Sequence, residues 1–159
     1  MNHSRHPLRF NVGFLLNQPI GTSRDIPFEF DRLSFSEDLE VAGLQGLARV
    51  TRTPQGILLQ GDFQGEMVAE CVRCLAEFQQ PLHTEFSELF AFKYKGVSES
   101  GLMLPDDGNI DLAPLLREYL LLEVPIQPLC TPDCKGLCVV CGADLNATTC
   151  EHQARIAQE

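Results

Sequence analysis

No apolar run in this chain approaches the ~18 residues of a membrane span. The best, LLREYLLLEVPI at 115–126, is charged and too short. The opening stretch, MNHSRHPLRFNVGFLLNQPIG, interrupts its apolar residues at Asn11, Gly13 and Asn17, and no small-residue cleavage site follows, so it makes a poor signal peptide. A cytoplasmic protein without membrane association is the expectation. Positive charge is also scarce. The formal net charge is −10, with 7 Lys and Arg against 9 Asp and Glu up to Arg73, and 5 against 13 beyond it. A protein that neutralises phosphates over a broad surface is basic, which argues against broad nucleic-acid binding here. A phosphate loop, a Gly-rich dinucleotide fingerprint and a Ser/His/Asp arrangement are all missing, so an enzyme is not expected.

What remains is an ordinary globular composition, 44% hydrophobic and 21% charged, with 10 Phe and no Trp. At 159 residues it can hold one domain with a hydrophobic core, or one domain plus a small module. Alternation dominates the first 92 residues. Leu8, Phe10, Val12, Phe14 and Leu16 repeat with period two, as do Ile26, Phe28 and Phe30, and Leu39 and Val41 continue the apolar content. After a Thr53-Pro54-Gln55-Gly56 turn, Ile57, Leu59, Gly61, Phe63, Gly65, Met67, Ala69 and Cys71 share one face of a long strand, in which Gly61 and Gly65 are expected to mark bulges or a bend. Alternation restarts from Phe78 to Phe92, placing Cys71-Val-Arg-Cys74 at a hairpin tip. The row of Phe residues there reads as core, and His83 belongs to the polar, exposed side.

Residues 95–109, rich in Gly, Ser and Asp, read as a loop. Asp111 then caps a helix near 111–124 with Pro114 in its first turn; Leu112, Leu115, Leu116, Tyr119, Leu120 and Leu122 give it a wide apolar face, and Pro125 and Pro128 end it. The expected fold is α+β: a curved, antiparallel, barrel-like sheet with one packed helix and a Cys-rich, zinc-binding C-terminal tail. In domain terms, 1–128 is a β-rich domain and 129–159 is a tail stapled to the hairpin tip at 71–74.

Seven cysteines, an odd number, without a secretory signal point to thiolates in a reducing compartment rather than to disulfides. Structural zinc takes four Cys or Cys plus His ligands, and two residues between paired cysteines let a tight turn aim both sulfurs at one ion. The pairs are Cys71/Cys74, Cys130/Cys134, Cys138/Cys141 and Cys150/His152, eight ligands for two zinc sites. In one arrangement Cys138, Cys141, Cys150 and His152 close locally while Cys71 and Cys74 join Cys130 and Cys134. In another, Cys130, Cys134, Cys138 and Cys141 form a single local site. Cys-rich shells favour closed structural sites over an open catalytic one. A thioredoxin-like motif opens a helix after a strand, whereas the first pair lies between two strands.

Three stretches resemble the YceD family of bacterial and plastid proteins, the large ribosomal RNA subunit accumulation proteins: ECVRCLAEFQQPL, IDLAPLLREYLLLEVPIQPLC, and DCKGLCVVCGADLN followed by a terminal Cys. FNVGFLL and PIG near the start are similar to that family's opening. The resemblance covers roughly residues 8 to 152 and singles out Cys71, Arg73, Cys74, Cys130, Cys134, Cys138 and Cys141; His152 stands where a second Cys would be more usual. It implies a non-catalytic accessory factor in ribosome biogenesis, acting in accumulation or processing of large-subunit (23S) ribosomal RNA. The charge favours contact with a ribosomal protein or assembly factor on a pre-50S particle, with any RNA contact confined to a patch including Arg49, Arg52 and Arg73. The alternative is a cytoplasmic thiol redox or metal-responsive protein using the same cysteines.

Overall fold

The structure is a computed structural model, and it describes residues 7–93, 99 and 101–152. The alternating segments form four long strands: β2 (Ser23–Ser36), β3 (Leu39–Arg52), β4 (Gly56–Glu70) and β5 (Glu77–Ala91). They lie side by side in the order β2-β3-β4-β5. A short β1 (Arg9–Asn11) pairs antiparallel with β6 (Asn109–Asp111), and one helix, α1 (Ala113–Glu123), follows.

The sheet is open and does not close into the barrel read from the sequence: β2 and β5 are its two edges and do not pair with each other. Pro27 lies in β2 and Pro81 in β5. Proline has no amide to give to a ladder, so both belong on edge strands, and closure would bring these two strands together. The apolar face is covered instead by α1. Tyr119 stacks on Phe86 at 4.6 Å, its hydroxyl donates to Glu88 at 2.5 Å, and Arg117 reaches Asp38 at 3.0 Å. An aromatic row runs beneath, from Phe10 through Phe28 and Phe63 to Phe86. Leu44, Ala48, Val50, Ile57, Leu59 and Phe63 are wholly buried there together with Leu112, Leu116 and Leu120 of the helix segment. Asp111 caps the helix as expected, accepting from the Ala113 amide at 3.0 Å. Leu122, however, is 78% exposed, off the face that buries Leu112, Leu116 and Leu120 and stacks Tyr119 on the sheet.

Two local expectations change. The period-two run from Leu8 to Leu16 is a strand only over Arg9–Asn11 and then a 3₁₀ turn at Gly13–Leu15. The Asn11 side chain accepts from the Gly13 amide at 2.8 Å and turns the chain, so that Leu8, Val12 and Leu15 are the buried set. The bulge lies in β3, at Gly43 and Leu44 opposite Gly65, with Gly43 at φ +58°. Gly61 stays in register with Ala48, and its bare α-carbon makes room for the Phe86 ring.

The chain divides into two compact units. One comprises the chain up to Glu66 together with Pro81–Glu123; the other comprises Met67–Gln80 and the chain from Val124 onward. The boundaries fall inside β4 and β5. Among the described residues, all aliphatic and aromatic side chains in the buried core belong to the first unit. Among the described residues of the second, the buried apolar set is Cys71, Cys134 and Cys138. No helix among the described residues is long and apolar enough to cross a membrane.

Candidate metal centres

Cys71 follows the last residue of β4, and Cys74 lies in the turn before β5. The turn is closed by bonds from the Cys71 amide to the Ala76 carbonyl (2.9 Å) and from the Leu75 amide to the Cys71 carbonyl (2.9 Å), with Leu75 at φ +61°. The second pair repeats this pattern. The Cys138 amide donates to Ala143 (2.8 Å), the Gly142 amide to Cys138 (2.8 Å), and Gly142 has φ +74°. Each knuckle therefore needs a left-handed residue just after its second cysteine, and the first uses leucine where the second uses glycine.

The eight ligand candidates form two tetrads. Cys71, Cys74, Cys130 and Cys134 bring their sulfurs within 4.8 Å of one another, and so do the ligand atoms of Cys138, Cys141, Cys150 and His152. The structure thus brings together the first of the two arrangements read from the spacing and not the single local set. Cys71 and Cys134 sulfurs are 3.7 Å apart and those of Cys74 and Cys130 3.6 Å. A disulfide needs about 2.05 Å, whereas sulfurs at 2.3 Å from a tetrahedral ion are about 3.8 Å apart. All seven cysteines are free thiols. In the second tetrad the imidazole Nδ1 of His152 is buried with no hydrogen-bond partner among the described residues. An orphaned nitrogen costs free energy unless something accepts its lone pair, and a cation among three sulfurs does so. Both tetrads could hold a metal ion, and a zinc-class cation fits their donors.

Electrostatics divide each tetrad. Backbone hydrogen bonding from Cys74, helped by Cys130 and Arg73, lowers the Cys71 thiol to about 6 despite burial. Cys74 accepts from the Ala76 backbone, yet desolvation and its three thiol neighbours push it up to about 12. In the second tetrad, backbone hydrogen bonding from Cys141 and then Val140 lowers Cys138 to about 6, while desolvation raises Cys150. One sulfur of each set is poised as a thiolate, while Cys74 and Cys130 beside Cys71, and Cys150 beside Cys138, resist ionising. A dication reverses that resistance, because it favours every thiolate at once.

The three arginines singled out from the sequence are engaged within the protein. Arg73 donates to the Cys134 carbonyl at 2.9 Å and its own carbonyl accepts from Leu137 at 3.2 Å, which ties the first knuckle to the stretch between Cys134 and Cys138. Arg49 makes a two-pronged pair with Asp25 at 2.7 and 3.1 Å, and Arg52 lies 4.8 Å over the Phe92 ring. Arg49 and Arg52 belong to the first unit and Arg73 to the second.

Sequence reasoning passed over two features. Asn146 donates to the Cys134 sulfur at 3.3 Å; the one signal for it is its place in the Gly-x-x-Leu-Asn stretch of the second knuckle. Asp62, His83 and Glu85 gather on the exposed face, His83 Nε2 lying 2.8 Å from Asp62. That cluster depends on which β4 residue lies beside His83, which spacing alone does not tell.

Residues 59–158, which include every candidate ligand, match the family model described as large ribosomal RNA subunit accumulation protein YceD. An uncharacterized protein of Mycobacterium tuberculosis (strain ATCC 25618 / H37Rv) is 34% identical over 103 residues, covering 61% of this chain and 49% of its own length. One of Mycobacterium leprae is 33% identical over 101 residues, covering 61% and 46%. The chain spans about half the length of these curated relatives. The chloroplastic large ribosomal RNA subunit accumulation protein YCED homolog 1 of Zea mays is 44% identical over 43 residues, 27% of this chain and 15% of the plant protein. No solved structure matches. With its two cysteine-rich tetrads inside the matched span, the chain belongs to the YceD family.

Proposed function

We propose that this chain is a non-catalytic, zinc-binding accessory factor in ribosome biogenesis, supporting accumulation of large-subunit (23S) ribosomal RNA. The family match supports the ribosomal part, since the plant relatives carry that role in their names. The observation that carries the zinc part is the core of the second unit, where the wholly or nearly buried apolar side chains are cysteines. So small a unit, with no fully buried aliphatic side chain among its described residues, needs a staple, and two closed tetrads would supply it. Cys71, Cys74, Cys130 and Cys134 would hold one ion, and Cys138, Cys141, Cys150 and His152 the other. The ion would supply fold energy and fix the knuckles.

With both ions bound, seven thiolates and two dications take the net charge from −10 to about −13. Such a surface suits a basic ribosomal protein or an assembly factor on a precursor large subunit better than bare RNA. Depleting the protein is expected to lower the ratio of large- to small-subunit ribosomal RNA. Restoration should follow from the unaltered chain and not from Cys71→Ser/Cys74→Ser. An unchanged ratio on depletion refutes the role.

A second reading, a cytoplasmic thiol redox or metal-responsive protein, draws on the lowered Cys71 and Cys138 thiols. Thiol titration with and without chelator separates the two. Cysteines that react only after chelation belong to structural zinc; cysteines that react at once support redox chemistry.

A further inference from the structure

Asn146 sits in the loop between Cys141 and Cys150, so it belongs in sequence to the second tetrad. Its side chain serves the first. The Lys135 amide donates to Asn146 Oδ1 at 2.9 Å, and since an amide N–H can only donate, the oxygen must face it; the NH₂ group therefore faces the Cys134 sulfur, 3.3 Å away. Three further bonds tie Asn146 and its neighbours in the loop to one another and to Gly136. The Asp144 carboxylate accepts from the Asn146 amide at 2.9 Å and from Nδ2 at 3.1 Å, and the Leu145 amide donates to Gly136 at 3.0 Å. Gly136, at φ +75°, is itself packed on Arg73, where an added Cβ would lie 3.1 Å from the Arg73 carbonyl oxygen. A ligand of one tetrad, a knuckle of the same tetrad and the loop enclosed by the other are thus stitched together through residues 134–137.

We propose that Asn146 couples the two tetrads, so that a zinc-class cation held by Cys138, Cys141, Cys150 and His152 raises the affinity of Cys71, Cys74, Cys130 and Cys134 for another. The inference rests on the reading of both tetrads as metal centres. Closing the second centre fixes both ends of the loop, at Cys138/Cys141 and at Cys150/His152, and so fixes the amide against Cys134. An N–H donated to sulfur stabilises the thiolate, the form that binds metal. Removing such an outer-shell partner typically weakens a metal site about 10- to 100-fold. Coupling is reciprocal, so the first centre raises the affinity of the second by the same factor.

The test counts zinc on the full chain by native mass spectrometry, with zinc alone as the probe and a competing chelator to set the free concentration. The unaltered chain gives the product of its two stepwise binding constants. Cys150→Ser leaves the first tetrad alone and Cys74→Ser the second, and these give the uncoupled constants. The product for the unaltered chain is expected to exceed the uncoupled product by about 10-fold or more. In Asn146→Asp, which keeps an acceptor for the Lys135 amide and loses the donor to sulfur, and in Asn146→Ala, the excess should disappear. Cobalt(II) loading adds a readout that general loosening does not imitate: loss of the N–H donor should move the thiolate-to-cobalt absorption of the first tetrad to longer wavelength, with both ions still bound. An uncoupled product equal to that of the unaltered chain overturns the proposal, as does coupling that survives both Asn146 variants. A chain that takes up no zinc at all fails differently, removing the metal reading and this inference with it.

Discussion

Gly142→Ala isolates one term in the energetics of the knuckles. Gly142 has φ +74° and nothing lies within 4 Å of where its Cβ would stand, so the substitution meets no steric neighbour and changes only backbone preference. A left-handed conformation costs an L-residue roughly 1–2 kcal/mol. The less flexible unfolded chain returns about 0.4–1 kcal/mol of that, for a net loss of about 1 kcal/mol. Among the described residues of the second unit no aliphatic side chain is fully buried, so on the zinc reading the loss should appear in metal affinity: the second centre should hold zinc about 5-fold more weakly. Leu75→Gly is the reciprocal experiment in the first knuckle, where φ is +61°. It removes the strain but also a side chain that is 57% exposed and partly packed. The relieved strain offsets the lost packing and the freer unfolded chain, so zinc affinity at the first centre should stay close to that of the unaltered chain. Chelator competition on the full chain measures both. A zinc affinity untouched by Gly142→Ala, or equal losses in the two variants, would refute the argument that the knuckles share one backbone requirement.

Gly61→Ala would place a Cβ 2.4 Å from the Phe86 ring, in the stack that ends on Tyr119; overpacking of this kind should lower the stability of the first unit by about 1–3 kcal/mol in urea unfolding, and an unchanged midpoint would contradict it. The Tyr119 phenol, hydrogen-bonded to Glu88 and partly buried, is pushed up to about 12. A raised value means its contribution to stability is whole below the unfolded value of about 10 and is lost as pH rises through about 12. The stability advantage of the unaltered chain over Tyr119→Phe should therefore shrink as pH rises from about 10 to about 12, and phenolate absorbance from Tyr119 should appear late; titration of Tyr119 near 10 would refute the pairing.

How much of this was legible from residue order follows from the range of each interaction. Period-two alternation located β2, β4 and β5 because burial of one sheet face is written strand by strand. The helix cap at Asp111 is local and was readable, and so was the grouping of cysteines into pairs. Closure of the sheet was not, because it depends on whether β2 meets β5, and the prolines that keep them apart become informative only once the strand order is known. The run from Leu8 to Leu16 misled because a spacing of four and then three, Leu8-Val12-Leu15, coexists with the period of two, and the Asn11 side chain decides between them. Bulge position, the left-handed Leu75 and the donor role of Asn146 are set by neighbours across the fold and leave almost no trace in spacing.

The two tetrads differ in how the growing chain can reach them. Cys71 stands 63 residues before Cys134, and Cys74 56 before Cys130, while the second tetrad is gathered between Cys138 and His152. Closing the longer loop costs only about 0.6 kcal/mol more for each doubling of length, so the contrast is one of timing more than of energy. During synthesis Cys71 and Cys74 emerge early and wait as open thiols for partners made much later. A chain interrupted before Cys130 carries two of the four ligands of the first tetrad, and that set is complete once Cys134 has been made, before the first ligand of the second tetrad.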